Sequence, residues 1–73
     1  MNYGIYWINK KSGRGEYCER EYFTSFCNYE VEVHPTRDWG MFKDINTAYR
    51  ARYDLEKYFK SVGNFIWEVR EII

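Results

Sequence analysis

Seventy-three residues, with eleven Lys and Arg against eleven Asp and Glu, make one small domain of zero formal charge. There is no room for a second domain, and no global electrostatic case for nucleic-acid binding. The hydrophobic fraction of 45% argues against disorder, and no apolar run approaches the length of a membrane span. The apolar content is unusual in kind: eight Tyr, five Phe and three Trp stand beside a single leucine, Leu55. Rings must therefore fill much of the core, and the Tyr and Trp left outside it are favoured anchors for a partner. A chain this short buries only roughly 60% of its unfolded surface, so partner binding or dimerisation would add usefully to its stability.

Tyr3 to Asn9 is rich in aromatic and β-branched residues and reads as a first strand. Both of its faces are apolar, as in a central strand or in one covered by the helix on one face and by a partner on the other. Lys10 to Gly15 is a turn, with Gly13 and Gly15 supplying positive φ at low cost. Glu16 to Phe26 is read as a second strand with Cys18, Tyr22, Thr24 and Phe26 on one face. The helical alternative groups Cys18, Tyr22, Phe23 and Phe26. Cys27 to His34 alternates, with Cys27, Tyr29, Val31 and Val33 opposed to Asn28, Glu30, Glu32 and His34, which predicts a half-buried third strand ended by Pro35. Thr36 to Lys43 is a connection.

Asp44 is the expected N-cap of a long helix. Ile45, Ala48, Arg52, Leu55, Phe59 and Val62 fall on its inner side, with Ala51 and Tyr58 flanking. Arg50, Asp54, Lys57 and Ser61 mark the outer side, and Gly63 ends it. Phe65 to Ile72 alternates as the last strand. The expected fold is α+β in two layers: a four-stranded, mostly antiparallel sheet in the order β-β-β-α-β, with one helix on one face. The sequence leaves the strand order open; one order places the last strand beside the first and parallel to it. One helix covers one face, so rings on the other face are expected to seek company.

Charge is segregated along the chain. Lys10, Lys11 and Arg14 make the first turn basic, while Glu16, Glu19, Glu21, Glu30 and Glu32 make the following stretch acidic. Solvated strand faces are the commoner reason for such runs; an acidic patch for a basic partner is the functional one. Cys18, Cys27 and His34 lack the fourth ligand and the close cysteine pair of a structural zinc site. A Cys–His dyad would need Cys27 and His34 on the same strand face, and alternation puts them on opposite faces. Ser12-Gly13-Arg14-Gly15 joins two strands and lacks the phosphate-loop pattern. Base stacking on Tyr6, Trp7 and Trp67 is opposed by the nearby glutamates and by the lack of a basic groove.

Several features resemble the compact accessory proteins of bacteriophages and mobile elements. These are the direct Met1 start, the single short α+β domain, the aromatic strands, and Phe42-Lys43-Asp44-Ile45-Asn46-Thr47-Ala48 leading through a helix to Phe65–Ile73. Anti-CRISPR and other anti-defence inhibitors of this style bind a host complex without catalysis. That resemblance implies a phage-type inhibitor of a CRISPR-like complex.

The sequence thus predicts a non-enzymatic protein-binding module without cofactor or metal. Tyr6, Trp7 and Trp39 are its expected anchors, and Lys10, Lys11, Arg14, Glu30 and Glu32 its rim charges. The partner is a host protein or protein complex. A homodimer is the alternative, single-stranded nucleic acid ranks lower, and no membrane is involved. With no leader or span in the chain, the expected location is the cytoplasm, that of the host if phage-encoded, with Cys18 and Cys27 reduced and a disulfide between them second.

Overall fold

The computed structural model describes residues 1–26 and 29–73. Strand β1 (Asn2–Asn9) is the axis of the fold. One of its edges pairs along its whole length with β5 (Phe65–Ile72), in a register running from Asn2 opposite Ile72 to Asn9 opposite Phe65. Its other edge is divided. Short β2 (Gly15–Tyr17) takes Tyr6, Trp7 and Ile8, while Phe42 bridges Tyr3 through two backbone hydrogen bonds of 2.7 and 2.8 Å.

The connection between β1 and β2 is the turn expected at Lys10–Gly15. Asn9 Oδ1 accepts from the backbone N–H of Lys11 and of Ser12 at 2.9 and 3.2 Å, and Gly13 sits at φ 75°. An Asx-type cap followed by glycine in the left-handed region closes such a turn.

The expected single four-stranded sheet is instead a three-stranded sheet in the order β2-β1-β5 and a two-stranded ribbon. The ribbon pairs β3 (Glu32–Val33) with β4 (Gly40–Met41). All named pairings are antiparallel. The ribbon joins the sheet through Tyr3–Phe42 and through a second bridge, Glu19–Trp39. Cys18 is the hinge between the two: its N–H donates to the Ile5 carbonyl at 2.7 Å, and its carbonyl accepts from the Gly40 N–H at 3.1 Å.

The last strand lies beside the first as expected, but antiparallel to it. The reason is that the strand feeding the helix is the one at Gly40–Met41, read from sequence as connection. This strand runs antiparallel to β1 at the Phe42 bridge. A helix that returns the chain then makes the final strand parallel to β4, on the opposite edge of β1.

The strand expected over Glu16–Phe26 stops at Tyr17. The chain then winds into a π-helical turn, Tyr22–Phe26, which swings Phe23 into the core beside Cys18. The strand expected over Cys27–His34 shrinks to Glu32–Val33; Cys27 and Asn28 lie outside the described residues. Tyr29 and Val31 do pack inward, whereas Val33 is exposed.

Helix α1 spans Ile45–Tyr58. Asp44 caps it with extended backbone (φ −101°, ψ 119°), accepting from Asn46 N–H at 3.2 Å and from the Thr47 hydroxyl at 2.8 Å. The helix stops one turn before the expected Gly63, because Phe59 leaves the helical path to stack on Trp67 at 5.6 Å. Gly63 and Asn64 then turn the chain in the left-handed region, both at φ 64°. The inner side is Ala48, Ala51 and Leu55. Ile45, Tyr58 and Val62, expected inside or at its border, are exposed, and Asp54, expected outside, is half-buried.

The core is Ile5, Cys18, Phe23, Phe42, Ala48, Ala51 and Leu55, between the sheet and the helix. Phe23 meets Phe42 edge to face at 4.9 Å. Gly40 allows the Phe23 ring to lie across the backbone: a Cβ there would stand 2.5 Å from it. Fully buried Phe23, Ile5 and Leu55 each contribute about 1.5–3 kcal/mol through burial. Among the described residues no helix is long and apolar enough to cross a membrane.

Candidate functional site

The face of the sheet turned away from the helix is only half open. Tyr6 meets Tyr17 edge to face at 5.1 Å, Tyr17 lies 4.7 Å from Trp39, and Trp39 lies 5.1 Å from His34. This row is half-buried throughout. Arg70 closes one end, with its guanidinium 4.0 Å from the Tyr6 centroid while it is paired with Glu68. Gly4 lets Ile72 lie flat against the strand, and Ile72 is buried. The rings expected to seek company there largely cover one another. Tyr6 in particular is clamped and presents little of itself.

The other end of the row is open. Trp39 forms the floor of a cleft of about 580 Å³ walled by Glu16, Glu19, His34, Arg37 and Asp38. Three separate segments build it: β2 supplies Glu16 and Tyr17, the bridge after it supplies Glu19, and the turn from His34 to Asp38 closes it. The indole is fixed, since Nε1–H donates to Glu16 Oε1 at 3.1 Å. His34 is held too: its Nδ1 accepts from the Thr36 N–H at 3.2 Å. Arg37 lies over the indole at 5.6 Å, within cation–π range, and is itself exposed. Carboxylates outnumber cations on the walls. Among the described residues Glu19 and Asp38 enter no ion pair.

The expected anchors and rim residues do not form one site. Tyr6 and Trp39 share the row, but Trp7 points to the helix side, as the period of two requires. Lys10 stands near the end of the last turn, its N–H donating to the Asn64 carbonyl at 2.7 Å. Lys11 and Arg14 are exposed in the first turn. Glu30 and Glu32 edge a different cleft, beside Met41, where Glu32 pairs with Lys43 at 3.2 Å. Tyr17 and His34, unnamed as anchors from sequence, hold Trp39 on both sides. Tyr49 and Tyr53 were also missed. They are exposed on the outer side of α1, and their spacing of four among polar residues was the signal.

Cys18 is wholly buried in the core and His34 lies at the cleft, while Cys27 is outside the described residues. Among the described residues no three His, Cys, Asp or Glu side chains gather as metal ligands. Comparison with known protein families, with curated proteins and with solved structures finds no match for this chain.

Proposed function

We propose that the protein is a non-enzymatic binding module whose Trp39 cleft takes a basic side chain of a partner protein. One observation carries the reading: a half-buried indole held on its edges by Glu16, Tyr17 and His34, opening into a cleft whose carboxylates Glu19 and Asp38 enter no ion pair among the described residues. A pre-positioned aromatic ring ringed by charge is the make-up of an interface hot spot. An indole face beside carboxylates suits a guanidinium or ammonium. Arg37 gives an internal precedent, because it already uses that ring. The phage-like style of the chain directs the search for the partner to a host defence complex in the cytoplasm, with the protein acting as its inhibitor.

The test is a titration with an arginine-rich nonapeptide and its glutamate counterpart, followed by Trp fluorescence. The basic peptide is expected to bind and the acidic one to fail. Trp39→Ala should abolish binding while the fold persists. Arg37→Ala, which vacates the ring, should preserve or strengthen it. Equal binding of both peptides, or undiminished binding to Trp39→Ala, would sink the proposal.

A further inference from the structure

A second pocket lies on the opposite side of the sheet, beneath the C-terminal end of the helix. It measures about 310 Å³ and is lined by Trp7, Tyr22, Phe59, Val62, Phe65 and Trp67. Its walls offer both ring faces and ring edges. Phe59 stacks on Trp67 with 20° between their planes, while Phe65 meets Trp7 edge-on at 83°. An apolar cavity of about 150 Å³ is enough to take a benzene ring, so one aromatic side chain fits with space for its stem.

The mouth has a charge. An adjoining cleft of about 390 Å³ shares Phe59, Phe65 and Trp67 with the pocket and is edged by Lys10, Glu56 and Lys60. Glu56 is matched by Arg52 at 3.5 Å. Among the described residues neither lysine has an ion pair. An apolar slot with two unmatched cations at its lip is complementary to a ring flanked by carboxylates.

We infer that this pocket is a second docking site, which takes an aromatic side chain of a partner protein flanked in its sequence by Asp or Glu. A nucleobase would also stack on indole, but stacking along a strand needs an open platform and a continuous basic groove. Here the rings line a short slot between helix and sheet rather than a platform, and the cations number two. The site is separate from the Trp39 cleft and stands or falls without it.

The three Trp residues make the test selective, since Trp7 and Trp67 line this pocket and Trp39 does not. Indole N–H signals of the ¹⁵N-labelled chain are followed while a nonapeptide with a central Phe between glutamates is added. The Trp7 and Trp67 signals are expected to move together and that of Trp39 to stay. A peptide with lysines in place of the glutamates should bind about tenfold more weakly or worse. Val62→Glu should abolish the shifts. Val62 is 56% exposed, so the fold survives that change, which the unchanged Trp39 signal verifies. No shift at millimolar peptide, an undiminished shift in Val62→Glu, or tighter, salt-sensitive binding of oligothymidylate at the same signals would overturn the inference. Movement of the Trp39 signal alone would overturn it too, and would count against the acidic cleft as well.

Discussion

Tyr29 donates its hydroxyl to Asp54 Oδ2 at 2.8 Å, across twenty-five residues of sequence. This bond fastens the segment before β3 to the middle of the helix, and it explains why an aspartate on the nominal outer side is half-buried. A half-buried carboxylate needs a donor.

Removing that donor tests the fastening. Tyr29→Phe keeps the ring, which meets Phe42 edge-on at 6.1 Å, and leaves the carboxylate short of a hydrogen bond. The expected cost is about 1–2 kcal/mol, read from the urea midpoint. Tyr29→Phe in an Asp54→Asn background should cost less, because a neutral amide tolerates the loss better.

Gly40 permits the close packing of ribbon on core. An added methyl would sit 2.5 and 2.7 Å from two atoms of the Phe23 ring, and that ring is fully buried. Gly40→Ala should therefore destabilise by about 1–3 kcal/mol with no change in the urea slope. A loss near zero would mean that the ring shifts freely.

Phe23 itself is the largest wholly buried side chain among the described residues. Phe23→Ala removes about 3–5 kcal/mol, as much as a domain of this size possesses. Circular dichroism and proton NMR should report an unfolded chain at room temperature. Phe23→Leu should fold with a lowered midpoint.

Asp44 links helix capping to pH. The Thr47 hydroxyl first, then the Asn46 N–H, hold its carboxyl below the ordinary value of 3.8. A lowered native pKa means that the cap's contribution is complete above 3.8 and is lost as pH falls through the native value. Melting midpoints recorded down an acid series should therefore fall more steeply for the wild type than for Asp44→Asn, which keeps a capping oxygen but does not titrate in that range.

The elements most legible in the sequence are those with long internal patterns. Phe65–Ile72 alternates over eight residues and is a strand over that same span; Asp44 announces the helix by its own capping chemistry. Gly40–Met41 could not be read because a two-residue strand has no period. It exists through Tyr3 and Cys18, which reach it from far away in sequence. At Tyr22–Phe26 the aromatic content pointed to a strand, while the helical grouping of Cys18 with Phe23 was the arrangement that burial rewarded. Trp39 could be picked out by its type and its place in a turn-rich stretch. Its fixing by Glu16, Tyr17 and His34 depends on the Glu19–Trp39 bridge, which no local pattern encodes. The opposition of Tyr6 to Trp7, in contrast, follows from alternation alone.

Cys18 serves two masters: its amide belongs to the sheet and its carbonyl to the ribbon. Neither part can let go of this residue without exposing a peptide group of the other to a dry interior. The two should therefore melt in concert, as a single cooperative unit, with the amide protons of Cys18 and Gly40 trading with deuterium at matching rates. A chain whose pairing is split into such short pieces thereby behaves as though its strands had been woven into one cloth.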